Sequence, residues 1–218
     1  MSSNLLLYVS RIVVLLIAIP VHECAHAWVS YRLGDPTAKA MGRLTLNPIR
    51  HFDPIGGLCL LLTGIGWAKP VPIDVRYYED RKKGMALSAL AGPVSNILMA
   101  FLALIIMKIV RAAYLGGSPT MFLYYTYVVF SYIVLINIHL GVFNLIPIPP
   151  FDGSRIFLQF LPEKIYFGIM KYERYIFIGL FLLLYLGVLS VPLSYAYNFV
   201  YGILDVLTGF VDRLAVLL

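Results

Sequence analysis

Residues 5–31 read LLLYVSRIVVLLIAIPVHECAHAWVSY, an apolar run that holds two histidines and one glutamate near its end. The run is long enough to cross a bilayer as one tilted helix. Pro20 lies within it and predicts a kink or another irregularity one turn before His22. Ionisable groups are costly inside a membrane and are usually functional there. This stretch therefore predicts a membrane protein whose functional site lies near the end of the apolar run.

The whole chain has the composition of a membrane protein. Its 218 residues are 61% hydrophobic and only 13% charged, and the mean hydropathy is +0.85. A soluble domain of this size carries about twice that charged share. The net charge of +6 does not indicate a nucleic-acid partner, because the basic residues fall between apolar runs without interleaved aromatic residues.

Three further apolar runs predict membrane helices at about residues 85–110, 124–148 and 175–191. Residues 193–218 form a C-terminal apolar helix that either spans the membrane or lies at its surface, whereas residues 1–192 form the core. The predicted fold class is therefore a polytopic all-α membrane protein with about 4–6 transmembrane helices.

Basic residues orient the predicted spans. Nine of them lie between residues 32 and 83 and four between 149 and 174, whereas none lies between 112 and 123. Cytoplasmic loops collect Lys and Arg. The first and third connections are therefore expected to face the cytoplasm, with the N-terminus outside.

The connection between the first two main helices is predicted to be more than a loop. Residues 42–48 and 67–74 have the proline-limited pattern of short strands, and the glycine-rich apolar residues 55–65 between them are too few to span. We expect a small β layer or a re-entrant segment over about residues 42–74. Protein must cover it, because unpaired backbone does not survive in lipid.

His22, Glu23 and His26 form a His-Glu-x-x-His motif. On a helix the two histidines point from the same face and can hold one Zn²⁺, and Glu23 can act as general base toward a metal-activated water. A buried hydrogen-bonded cluster or a proton path is the alternative interpretation. Cys24 faces away from the histidine pair and is excluded as a ligand.

A catalytic zinc ion needs a third protein ligand and one open position. Asp152 is the best candidate, because it follows the third predicted span in a proline-rich stretch that lets the chain fold back. Gly153 permits a tight turn behind the acid. His26 and Asp152 lie near the cytoplasmic ends of their helices, so they can meet on one side. Helix capping near Ser154 is the alternative role for Asp152.

Two other histidines compete for the ligand role. His51 lies in the first connection beside Asp53. His139 precedes Asp152 by roughly 20 Å along a continuous helix, too far to share the ion. We interpret His139 as a polar contact between helices.

Two asparagines are further catalytic candidates. A peptide carbonyl under attack develops an oxyanion that needs hydrogen-bond donors. Asn96 and Asn144 are suited to supply one or to position an extended substrate, and Gly92-Pro93 before Asn96 lets a helix or a substrate approach closely. Joining helices together is the alternative for both. Asn144 is favoured because it neighbours Asp152.

Together these residues resemble the site-2 protease family of intramembrane zinc metalloproteases, in its short prokaryotic branch without PDZ or CBS domains. The matching segments run in order over most of the chain. They read HECAHA (22–27), GRLTLNP (42–48), GWAKPVP (66–72), ALAGPVSN (89–96) and FNLIPIPPFDG (143–153).

The resemblance implies that His22, His26 and Asp152 bind one zinc ion, that Glu23 is the catalytic base, and that Asn144 lies near the site. It also implies a multi-pass protein of a prokaryotic plasma membrane that cleaves peptide bonds in or near transmembrane segments, with its site toward the cytoplasm. The expected partners are a membrane-protein or peptide substrate and the lipid bilayer. A homo-oligomer is left open.

Two positions depart from the family pattern, in which Leu is usual in place of Phe151 and an apolar residue in place of His139. Neither departure removes a ligand, although Phe151 alters the cleft beside the metal. The alternatives to a protease are a non-catalytic membrane metal-binding protein or transporter, and an inactive protease-like scaffold. A transporter should show a repeat or acids spread over several spans, whereas this chain groups them at one depth.

Overall fold

A computed structural model of the protein describes residues 8, 12–63, 66–117 and 119–216. Within these residues the chain is mostly helical. The helices, numbered in chain order, are α1 (Ile19–Arg32), α2 (Thr37–Ala40), α3 (Pro48–His51), α4 (Pro54–Thr63), α5 (Arg81–Gly116), α6 (Met121–Asn144), α7 (Asp152–Phe157), α8 (Glu163–Lys171), α9 (Glu173–Tyr185), α10 (Ser190–Leu207) and α11 (Gly209–Val216).

The first helix has an irregular start. A π-helical segment, Val14–Ala18, runs directly into α1, and Pro20 lies in the first turn of α1. A proline supplies no N–H and its ring clashes with the carbonyl four residues earlier, which loosens the hydrogen-bond ladder there. The irregularity expected before His22 is therefore a π segment. Residues 5–7 and 9–11 of the predicted span lie outside the described residues.

Two helices, α5 and α6, are long and apolar enough to cross a membrane by length and composition. The pair α9 and α10 is bent by 84° and makes a third span if it is one broken helix. In the part of the chain that the structure describes, it thus supports a mostly helical protein with two or three candidate membrane helices, fewer than the about 4–6 that hydropathy predicts. The described part of the first predicted span is divided by the π segment, and the fourth is interrupted after Tyr185.

The small β layer predicted for about residues 42–74 is not supported. The described part of that stretch contains α3, α4 and an extended segment over residues 66–74, and no strand. Asn47 and Asp53 begin α3 and α4 by accepting hydrogen bonds from backbone N–H groups of the first turn. These caps begin short helices between the two strand-like stretches, whereas residues 42–47 form turns, bends and irregular chain. The apolar α4 is too short to cross a membrane, which leaves the re-entrant alternative standing.

Helices α5 and α6 form the centre of the molecule, and α1, α7 and α11 pack against α5 while α10 packs against α6. Small side chains let the two central helices approach closely. The buried core between them and α10 consists of Ala100, Ala103, Leu104, Met107, Ile133, Val134, Ile138 and Leu204. Because α1 and α7 both lie on α5, residues far apart in the sequence meet beside its first half. Helix α10 runs across residue 192, where the sequence predicted a boundary between the core and a C-terminal helix. The division of the chain into these two parts stays a prediction.

Candidate active site

Helices α1 and α7 bring three metal-ligand side chains to one point. His22 Nε2 and His26 Nε2 lie 3.0 Å apart, and Asp152 Oδ2 lies 3.1 Å from the first and 3.3 Å from the second. We call His22, His26 and Asp152 the ligand cluster. Within the described residues it is the one group of three or more His, Cys, Asp or Glu side chains that could hold a metal ion.

The ligand cluster fits zinc. Two imidazole nitrogens and one carboxylate oxygen form a donor set used by catalytic zinc sites, and donors at about 2 Å in a tetrahedron lie about 3.3 Å from each other. The separations of 3.0, 3.1 and 3.3 Å are close to that edge. Asp152 Oδ2 is buried and makes no regular hydrogen bond to the described protein. Such an oxygen needs a cation beside it.

The carboxyl of Asp152 is placed for the imidazoles and not for capping. Phe151 begins α7 without a side-chain cap, and Ser154 Oγ donates to the Phe151 carbonyl oxygen at 2.7 Å. A Cβ at Gly153 would overlap the backbone of Leu145, so glycine permits the tight fold-back after α6.

The backbone of α5 fixes the ring of His26. His26 Nδ1 donates to the carbonyl oxygen of Ser88 at 2.7 Å. A carbonyl can only accept, so the proton of the neutral ring sits on Nδ1 and Nε2 keeps the lone pair that a metal needs. No side-chain pattern in the sequence could have identified Ser88, because the partner atom belongs to the backbone.

A chain of amides fixes the ring of His22. Asn137 Nδ2 donates to the Ile133 carbonyl oxygen, so Asn137 Oδ1 accepts from Asn96 Nδ2 at 2.9 Å. Asn96 Oδ1 then accepts from His22 Nδ1 at 2.6 Å. Both asparagines are fully buried. The chain leaves His22 Nε2 as a lone pair directed at the same point as His26 Nε2. From its sequence position, an amide in an apolar helix, Asn137 was expected only to join helices.

Helix α5 passes the histidines at Gly92. A Cβ at Gly92 would overlap His26 Nε2 and His22 Cε1. The glycine therefore lets the α5 backbone lie against both rings, and this close approach brings Ser88 and Asn96 within hydrogen-bond reach.

A cleft of about 890 Å³ opens on the ligand cluster. This volume is within the usual range for ligand sites. Glu23, Asn144 and Phe151 line it beside the ligands, and the opposite wall consists of α9 and the extended residues 66–73. The rings of Trp67 and Phe177 meet edge to face at 5.9 Å and join these two parts of the wall.

The two asparagine candidates lie in different places. Asn144 lines the cleft and donates from Nδ2 to the Leu140 carbonyl oxygen at 2.9 Å. Asn96 does not line the cleft, and both ends of its amide are engaged by His22 and Asn137. The geometry of Asn96 therefore favours orientation of the His22 ring over a contact with substrate.

The competing histidines lie away from the ligand cluster. His51 is buried, with Nε2 at 2.8 Å from the carbonyl oxygen of Thr45. His139 donates from Nδ1 to the Leu135 carbonyl oxygen and stacks on Tyr197 of α10 with ring centroids 4.7 Å apart. The ring of Phe151, where Leu is usual, packs on Phe143 in the cleft wall.

Known proteins with similar sequences identify the family. The Peptidase family M50 model matches residues 109–186. The Bacillus subtilis protein named "Putative zinc metalloprotease YwhC" is 38% identical over 176 residues, which cover 80% of this chain and 78% of that protein. The chain belongs to peptidase family M50. The same family resemblance was drawn from the motifs, and it is confirmed.

More distant relatives carry names of the same kind. "Putative zinc metalloprotease Rip2" of Mycobacterium tuberculosis is 27% identical over 205 residues, 92% of this chain and 74% of that protein. "Zinc metalloprotease MJ0392" of Methanocaldococcus jannaschii is 25% identical over 169 residues, 78% of this chain and 39% of that protein. No solved structure matches the chain.

Membership in family M50, the family of site-2 proteases, decides the enzyme class and the cofactor. The chain is a membrane-embedded zinc metalloprotease that acts on peptide or protein substrates. Its apolar helices agree with that membrane location. The predictions of a metalloprotease and of a zinc cofactor are therefore confirmed.

Proposed function

We propose that this M50 protein is an intramembrane endopeptidase that hydrolyses peptide bonds in or near transmembrane segments of membrane proteins. His22, His26 and Asp152 hold one zinc ion, and Glu23 is the general base. The observation that carries the proposal is the meeting of three ligand atoms at 3.0 to 3.3 Å beside a cleft, within a bundle of apolar helices.

Zinc bound to the ligand cluster supplies a Lewis acid that lowers the pKa of a water and polarises the scissile carbonyl. Glu23 follows His22 in α1 and lines the same cleft. Its carboxylate accepts a proton from the attacking water and passes it to the leaving amide nitrogen. Asn144 lines the cleft beside Asp152 and is placed to bind the substrate backbone.

The substrate has to expose its backbone, because a hydrogen-bonded transmembrane helix hides the scissile bond. The extended wall segment offers a way to hold it. Val71 and Ile73 line the cleft, and their backbone groups make no hydrogen bond to the described part of the chain. An unwound substrate therefore binds by strand addition along this segment.

The site faces the cytoplasm in this proposal. His22 and His26 of the ligand cluster lie in α1, which ends at Arg32. The connection that follows is rich in basic residues, and such connections stay on the cytoplasmic side. Outward side chains of α5, including Leu98, Leu102 and Ile109, are 49% to 56% exposed and are covered by lipid.

The test uses the full chain purified in detergent and a single-span membrane-protein substrate. Glu23→Gln should reduce cleavage by about a thousandfold and should retain zinc, because Glu23 is not a ligand. Glu79→Gln, at an exposed position outside the cleft, is the matched control and should cleave normally. Cleavage by Glu23→Gln at the parent's rate would overturn the proposal, as would a parent protein without zinc. Metal uptake into liposomes would instead indicate a transporter.

A further inference from the structure

Two buried charged residues outside the ligand cluster fix the wall of the cleft. We propose that Arg43 and Asp35 are positioning residues for the substrate, which hold the segment Lys69–Asp74 extended beside the site by bonding to its two ends. This inference rests on the proposed function, because it assumes that an unwound substrate binds along that segment.

The first end is held at Lys69. Arg43 is 5% exposed, and its Nη2 donates to the Lys69 carbonyl oxygen at 2.6 Å. The Lys69 N–H donates to the carbonyl oxygen of His51 at 2.9 Å. Burial of a guanidinium is costly unless it is hydrogen-bonded, and among the described residues the side chain of Arg43 bonds to this carbonyl alone, with Nε unpartnered. The buried charge of Arg43 thus serves the segment.

The second end is held at Asp74. Asp35 is fully buried, and its Oδ2 accepts from the Asp74 N–H at 2.9 Å and from Ser30 Oγ at 2.8 Å. Its Oδ1 accepts from the Thr37 N–H at 2.9 Å. Burial raises the pKa of Asp35, but hydrogen bonds, led by one from the Thr37 side chain and then by that of the Asp74 N–H, outweigh it and lower the pKa overall. Asp35 therefore stays an acceptor at neutral pH.

We call Arg43 and Asp35 the anchors. Asp35, the second anchor, is connected directly to α1, the helix that carries His22 and His26. Ser30 lies in α1, one turn after His26, and it also hydrogen-bonds to the hydroxyl of Tyr78 at 2.7 Å. Asp74 is thereby tied to the same rigid helix that carries two zinc ligands. The distance from the segment to the site is set by this connection.

The middle of the segment is shaped to stay extended. Pro70 and Pro72 have no N–H of their own, and each disfavours the helical conformation at the residue before it, Lys69 and Val71. Val71 and Ile73 pack against a small core that includes Ala27, the residue after His26, and Ala38. The backbone N–H and C=O groups of these two residues make no hydrogen bond within the described structure. Side chains thus dock the segment while its backbone is left to a substrate.

The test compares each anchor with a matched residue that has no contact with the segment. Arg43→Lys keeps the charge but loses the guanidinium, and Asp35→Asn keeps the shape but cannot serve both backbone N–H groups. The controls are Arg50→Lys, at an exposed position, and Asp80→Asn, where an exposed acid also accepts from two backbone N–H groups. Zinc content, kcat and KM are measured on the single-span substrate.

Each anchor variant should raise KM about tenfold, with kcat within about twofold and zinc content unchanged, and the controls should match the parent. A fall in kcat and zinc content at unchanged KM would overturn the proposal, because the anchors would then support the zinc site itself. Parent-like KM in both variants would overturn it as well. If Asp35→Asn does not fold, Arg43→Lys decides alone.

A second pair of variants tests the segment without touching the anchors. Val71→Pro removes one N–H from a run already flanked by prolines, whereas Val71→Ala keeps the N–H and loses more of the side chain. KM should rise for Val71→Pro well beyond its value for Val71→Ala, and equal values would contradict substrate pairing at this position. Failure of the proposed function is recognised separately, because it appears in the parent and in Glu23→Gln and not as a difference between anchor variants.

Discussion

Helix α5 lies against two polar clusters at different points along its length, and among the described residues only one of the two contains a positively charged side chain. Near its start, the ligand cluster gathers around Gly92 and Asn96. Four turns further on, Lys108 Nζ lies 2.7 Å from Asp205 Oδ1 and also contacts Asp212. We call Lys108, Asp205 and Asp212 the lysine cluster, which joins α5 to α10 and α11.

The two clusters differ in how their charges are balanced. In the lysine cluster a buried ammonium is balanced by two carboxylates that are about half exposed, so the protein completes the cluster itself. In the ligand cluster one carboxylate oxygen and two imidazole lone pairs face each other without a positive side chain between them. We therefore expect the ligand cluster to require bound zinc and the lysine cluster to be unaffected by zinc.

The largest effect should follow removal of the anionic zinc ligand. Asp152→Asn replaces the carboxylate by a weak ligand, so zinc content should fall to background and cleavage by at least about a thousandfold. Asp205→Asn, in the lysine cluster, is the control and should keep zinc and activity. Metal analysis and the substrate assay check both variants. An active, zinc-loaded Asp152→Asn enzyme would remove Asp152 from the ligand set.

The next effect concerns the close approach of α5 to the histidines. Gly92→Ala places a methyl group on both imidazoles, so we expect loss of zinc and a lower thermal midpoint. Gly116→Ala lies in the same helix with nothing within 4 Å of the new Cβ, and it should be neutral or slightly stabilising. If both variants bind zinc equally, the contact at Gly92 is not essential.

A smaller effect is expected from the amide that orients His22. Asn96→Ala removes the acceptor of His22 Nδ1 and should weaken zinc binding about 10- to 100-fold. Asn96→Asp keeps an acceptor at that place and should recover most of the affinity. A competition titration with a zinc chelator measures both variants. Equal weakening in the two would mean that Asn96 acts through helix packing and not through the ring of His22.

The smallest effect should come from the lysine cluster. Lys108→Met removes the buried ammonium but leaves two acids that water can still reach, so the free energy of unfolding should fall by only about 1 kcal/mol. Zinc content and KM should not change. Lys83→Met, at an exposed salt bridge, is the control and should lose less. A loss of zinc in Lys108→Met would show that the two clusters are coupled.

Much of the candidate site could be predicted from the sequence because ligand chemistry is carried by side-chain type and spacing. His22 and His26 share a helix face by their spacing alone, and the prolines before Asp152 indicated the fold-back that brings it to them. The residues that orient the two histidine rings could not be predicted in the same way. Ser88 acts through its backbone, and Asn96 was expected to meet a substrate before the structure placed it behind His22.

The connection between α1 and α5 shows why part of the fold could not be predicted. Its proline-rich stretches have the pattern of strands, yet strand formation needs a partner strand, and none is present among the described residues. Local caps at Asn47 and Asp53 begin short helices in the residues between those stretches. Within that connection, the segment Lys69–Asp74 stays extended because distant side chains, Arg43 and Asp35, hold its two ends.

By itself, the sequence determined three properties of this protein. Its apolar content indicated the membrane environment, its ligand types indicated the metal, and its ordered motifs indicated the family. Only the tertiary structure decided which polar groups support the ligand cluster and which merely join helices. It did so because a hydrogen bond depends on distance and direction between residues such as His22 and Asn96, which are 74 positions apart. Packing of α1 against α5 at Gly92 sets that distance.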